Sequence, residues 1–168
     1  MQTAVMLVAV GILSIIAYGD IRTRRISNVL TGTLAILSLI RIILLHDPAA
    51  ASYTLVAGVA MFAGGFLLFS CGVLGGGDAK LLAVMTLLIG HHDLFGFLFL
   101  MSLCGGALGL IILAGDKLRP LLWRAWYSAT MPLSTEITAE LARTTVPYGV
   151  AIAAAGIITL ILQTPFPK

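Results

Sequence analysis

Leu74-Gly75-Gly76-Gly77-Asp78-Ala79-Lys80 separates two apolar runs, one ending near Val73 and the other beginning at Leu81. Glycine tolerates backbone angles and close approaches closed to other residues, and a carboxylate at the edge of a bilayer is costly to keep. An acid placed after three glycines at such a junction points to chemistry, and to partners elsewhere in the chain.

The chain around it has the composition of a membrane protein. Its hydrophobic fraction is 60% and its charged fraction 10%, with a mean hydropathy of +1.08, far from the roughly half-apolar, quarter-charged make-up of soluble domains. A spanning helix takes about 20 residues, so the 168 residues have room for about six spans in one domain with short loops. The expected spans are residues 3–18, 29–45, 53–73, 79–90, 94–114 and 146–162. The fold class is therefore an all-α integral membrane protein, a bundle of about six transmembrane helices. The first apolar run has no positively charged region ahead of it, its first charge being Asp20, and reads as a retained span rather than a signal peptide.

The net charge of +3 does not indicate nucleic acid, because the basic residues are few and sit at span ends, where they set orientation. With six spans, the loops after the first, third and fifth share a side and hold eight of the ten Lys and Arg residues: Arg22, Arg24, Arg25, Lys80, Lys117, Arg119, Arg124 and Arg143. The positive-inside rule puts those loops in the cytoplasm and both termini outside. Asp20 and Asp78 then face the same, cytoplasmic side. Arg22, Arg24 and Arg25 suit contact with membrane phospholipids, and the loop over 115–145, with Trp123, Trp126 and Tyr127 among its basic residues, suits the interface.

Cys71 and Cys104 lie in apolar runs without CxxC spacing and read as packing residues. His91-His92-Asp93 reads as a turn on the side away from the acids, adjacent histidines tending to point apart, so no metal and no cofactor is expected. The fourth span has only about 12 residues, or about 18 Å against a hydrocarbon core of about 30 Å. One or both of its flanks should therefore lie below the membrane surface, with Asp78 sunken and the glycine loop buried in protein or lining a wet cavity.

Two aspartates on one side of such a bundle are enough for hydrolysis. Carboxyls a few Å apart do not both ionise easily and share one proton. The ionised one activates a water while the protonated one polarises the scissile carbonyl. On this reading Gly75, Gly76 and Gly77 form a loop that lets a substrate backbone approach Asp78, and the following helix directs its positive end at that carboxyl. The alternatives are a helix cap for Asp78, an acid paired with Arg22 or Arg24 for Asp20, and an orienting charge for Lys80.

These residues resemble a known family. Gly75-Gly76-Gly77-Asp78 matches the Gly-x-Gly-Asp signature of intramembrane aspartyl proteases. Residues 20–28, from Asp20 through Ile26 to Asn28, resemble the Asp-x-x-x-x-x-Ile-Pro-Asn segment of type IV prepilin peptidases, with Ser27 where proline is usual. Pro147-Tyr148-Gly149 resembles the motif opening their last helix. The resemblance implies Asp20 and Asp78 as the catalytic pair, with Lys80, Asn28, Pro147, Tyr148 and Gly149 as possible supporting residues. It further implies prepilin or pseudopilin substrates, cut after a glycine that follows a short basic leader, at the cytoplasmic face of a bacterial inner membrane. The cysteine-rich region and methyltransferase activity of the larger members have no counterpart in the sequence, so the resemblance is to the small, peptidase-only Tad/Flp pilus type. Two other readings fit the same residues: a preflagellin or presenilin-like protease with a different substrate, and a non-catalytic pilus-assembly subunit. Oligomeric state is not legible.

Overall fold

The computed structural model describes residues 2–44, 47–127 and 148–163. They form six helices: α1 (Gln2–Thr23), α2 (Asn28–Leu44), α3 (Pro48–Ser70), α4 (Gly76–Ile89), α5 (Leu94–Tyr127) and α6 (Tyr148–Gln163). Three stretches, Ala4–Thr23, Pro48–Ser70 and Leu94–Ala114, are long and apolar enough to cross a membrane, while α2 and α6 are shorter apolar helices. Large apolar side chains such as Leu7, Ile43, Val59, Phe66, Phe95 and Phe99 are exposed, which is the surface a lipid-embedded protein presents. The chain divides into two compact units, Met1–Cys104 with Pro147–Lys168, and Gly105–Val146. The candidate site belongs wholly to the first.

In that unit α4 is the central element, with α2, α3 and α6 packed on it, while α1 packs on α6 and α2. Helix α4 is buried nearly all round, through Ala79, Leu81, Leu82, Ala83, Met85, Thr86, Leu88 and Ile89. The helices around it bury stripes. In α1 the buried residues Met6, Ala9, Leu13, Ile16 and Asp20 recur every three to four positions, the spacing of one helix face. Asp20 is thus the last member of a core stripe. In α2 the stripe is Thr31, Leu34 and Ser38, and it continues to Arg41.

Small residues let the helices approach. The position a Cβ would take on Gly65 lies 3.2 Å from Ala79 Cβ and 3.3 Å from Ala79 Cα. Gly58 meets Leu87, and Thr54 meets Gly90 and His91, in the same antiparallel register. The 23 residues of α3 extend about 34 Å and the 14 of α4 about 21 Å. Ala79 is therefore level with a point roughly 7 Å inside one end of α3, and Gly90 with a point roughly 9 Å inside the other. Both ends of α4 are recessed. Because the Gly65 contact includes backbone, Gly65→Val should destabilise the fold by about 1–3 kcal/mol, read as a lower unfolding midpoint in detergent; an unchanged midpoint would show that α3 and α4 do not meet there.

The recessed C-terminal end of α4 has its carbonyls satisfied by side chains from its neighbours. Arg41 donates to the Leu88 carbonyl, and Gln163 Nε2 donates to the Ile89 carbonyl at 3.0 Å and to Asp93 Oδ2 at 2.6 Å. Thr54 Oγ1 lies 3.2 Å from His91 Nδ1. The His91 and His92 rings lie with centroids 4.0 Å apart, where sequence suggested that they point apart.

Several boundaries depart from the sequence reading for one reason: apolar runs mark where hydrophobicity ends, not where helix ends. Helix α1 runs on to Thr23, so Asp20 is helical. Helix α5 continues past Ala114 to Tyr127, into what was expected to be a loop, and residues 128–145 of that loop lie outside the described part. Helix α3 starts at Pro48, not Tyr53, because Asp47 caps it, accepting from the Ala49 and Ala50 N–H groups, with proline in the first turn. Cys71, expected to be buried, is exposed just past the end of α3.

Candidate active site

Asp20 is carried on the inward face of α1, 5% exposed, at the end of the stripe that packs α1 into the bundle. Just beyond it the Arg24 N–H donates to the Asp20 carbonyl at 2.9 Å, and Arg24 adopts a left-handed backbone, φ 52°, the position where helices commonly end in glycine. The chain then turns toward α2 through residues whose side chains are exposed, except Ile26.

The first turn of α6 supplies the partners of the Asp20 carboxylate. The Val150 N–H donates to Asp20 Oδ2 at 3.1 Å, and the Gly149 N–H also donates to this carboxylate. The first N–H groups of a helix have no partner within it and carry the positive end of its dipole. A carboxylate seated on them is therefore held by charge and direction together. This seating requires glycine at 149: a Cβ there would lie 2.6 Å from Asp20 Oδ2 and 2.9 Å from its Cγ.

Asp78 stands in the first turn of α4. Gly75, in extended conformation, is the cap position, and Gly76 and Gly77 are the first helical residues rather than a loop. The Asp78 carboxylate turns back to accept from the Gly75 N–H, the return contact of a capping box, and a Cβ on Gly75 would lie 2.7 Å from Asp78 Oδ2. The capping role considered from sequence is thus present in part. It does not isolate the acid, because Asp78 lies close enough to Asp20 for the two charges to repel. Two helix N-termini, those of α4 and α6, converge on two carboxyls.

Lys80, on α4, donates to Asn28 Oδ1 at the start of α2, at 3.2 Å. These two expected supporting residues therefore meet each other, tying α2 to the first turns of α4. They flank a groove of about 390 Å³ between α2, α3 and α4 that neither acid lines. Tyr148 opens α6 and is 43% exposed; Pro147 lies outside the described residues. Ser27, the departure from the motif, precedes α2 with its carbonyl accepting from the Thr31 N–H at 3.1 Å, so the helix starts without the usual proline. Among the described residues, no group of three or more His, Cys, Asp or Glu is gathered to hold a metal.

Sequence reasoning passed over two participants. The Val150 N–H is a backbone donor and leaves no side-chain signature. Ile26 was read only as part of a motif; in the structure its side chain packs against the sites of both Gly77 and Gly149, 3.1 and 3.0 Å from where their Cβ atoms would be.

No curated protein and no solved structure matches the chain. A family model does, over residues 7–110, and its description is the type IV leader peptidase family. The match covers more than half the chain and contains both aspartates and the Ile26 segment, while the α6 contribution lies beyond it. A chain whose described residues include three helices long and apolar enough to cross a membrane, with two acids gathered at the starts of α4 and α6, belongs, by this match, to the type IV leader peptidase family.

Proposed function

We propose that the protein is a small aspartic leader peptidase of the bacterial inner membrane, crossing it about six times with both termini outside. It removes the short basic leader of prepilins or pseudopilins at the cytoplasmic face, cutting after glycine, as in the Tad/Flp pilus type. The observation that carries the reading is the seating of Asp20 on the N-terminus of α6, within electrostatic reach of Asp78. One carboxyl, ionised, takes a proton from a water as that water attacks the carbonyl carbon; the other, protonated, hydrogen-bonds to the carbonyl oxygen and carries its developing charge. Protonation of the leaving amine then releases the leader and the mature chain.

The register of α3 against α4 supports the depth this chemistry needs. In a bilayer matched to α3, Asp78 lies roughly 7 Å below the end of that helix, close to the boundary where a substrate passes from basic leader to apolar segment. Irregular backbone at such depth is tolerated where protein or water surrounds it, so on this reading the exposed Gly75 turn faces the water that the reaction consumes. The test is co-expression with a prepilin carrying a glycine junction and mass spectrometry of the product. A new N-terminus immediately after that glycine is expected; an uncut precursor, or a cut elsewhere, would refute the assignment.

A further inference from the structure

Against the two glycines that border the acids, Gly77 and Gly149, the structure places one apolar side chain, that of Ile26. Of residues 21–29, every side chain is exposed except Ile26, which is half-buried. Its Cβ lies 3.1 Å from the Cβ position of Gly77, the residue before Asp78, and its Cδ1 lies 3.0 Å from that of Gly149, the residue against Asp20. Ile26 is thus a wedge between the starts of α4 and α6, touching both glycines that border the carboxyls. The wall it forms is stiff, because a β-branched side chain has few rotamers to escape into and it packs against the core behind it.

A peptide bond placed for attack must bring its carbonyl between Asp20 and Asp78, and the residue that owns that carbonyl must then lie alongside the Gly77, Gly149 and Ile26 surface. The glycines have no side chains to withdraw, and Ile26 fills the space their missing Cβ atoms would otherwise leave open. We infer that Ile26 is a specificity-determining residue, the wall that restricts the residue before the cut to glycine. This rests on the leader-peptidase reading above.

The experiment offers each preparation, in membranes, an equal mixture of two substrates that differ only in having Gly or Ala before the cut, and measures the ratio of their cleavage. Because both substrates meet the same enzyme, the amount of folded protein cancels. The wild type should favour Gly by about 10- to 200-fold, the usual discrimination for one methyl group in a tight pocket. Ile26→Ala should lower that ratio at least several-fold, and Ile26→Val, which removes one methyl group and is the milder change for folding, should lower it less. A ratio unchanged from wild type in both variants would overturn the inference while leaving the peptidase reading intact. A wild type that cuts neither substrate would overturn the reading on which the inference rests.

Discussion

Asp20→Asn and Asp78→Asn should each reduce leader cleavage by about 10²- to 10⁴-fold or more, the range that a positioned acid or base supplies, while the protein still inserts and folds. Asparagine keeps the size of the side chain and an oxygen that can accept from the Val150 N–H or, at 78, from the Gly75 N–H, so the contacts that place each residue survive. What is lost is the proton-carrying carboxyl. Hydrolysis needs one carboxyl to take a proton while another gives one, and a single remaining acid does not carry out both tasks. The check is product formation in membranes against the amount of inserted protein. Substantial cleavage by either variant would eliminate the paired-acid mechanism.

Gly149→Ala should have an effect nearly as large while leaving both acids in the chain. The added Cβ would fall 2.6 Å from Asp20 Oδ2 and 3.0 Å from Ile26 Cδ1, so the carboxylate must leave its seat or α6 must shift away from α1. Either movement breaks the hydrogen bonds from the Gly149 and Val150 N–H groups and turns Asp20 from Asp78. Cleavage should fall by about 10²-fold or more, the scale seen when a positioned donor is removed from a reacting group, with a stability loss of about 1–3 kcal/mol from overpacking. Gly19→Ala is the matched control. It lies next to Asp20 in sequence, yet nothing stands within 4 Å of the Cβ it would add, so it should leave cleavage unchanged and support the helix slightly. Equal activity in the two variants would mean that Asp20 does not depend on the start of α6.

The acids and their shared side were legible because they break otherwise apolar runs, and in a membrane protein a charge in such a place is conspicuous. The recessed position of Asp78 was legible from the length of one short run. The burial of Asp20 was available in principle, as the member four residues beyond Ile16 in the stripe Met6, Ala9, Leu13, Ile16, but reading the span as ended at Tyr18 concealed it. What sequence did not disclose is the role of α6. Gly149 stood out only as part of a resemblance, and its physical necessity depends on a carboxylate more than a hundred positions earlier. The donor itself, the Val150 N–H, is common to nearly every residue type and is marked by no pattern. Ile26 was concealed differently: it was visible only as part of a motif, and a single apolar residue in a basic loop has no periodicity to mark it as packed until the fold shows it against two glycines.

The central claim is that Asp20 and Asp78 act as one unit, and a double-mutant cycle on leader cleavage tests it most directly. Rates are measured for the wild type, Asp20→Asn, Asp78→Asn and the double variant in the same membranes with a glycine-junction prepilin. Residues that work as a unit are strongly non-additive. The account predicts that each single variant falls to the same floor and that the double variant falls no further. Losses that multiply, with each single variant well above the double, would show two acids contributing independently and would contradict it.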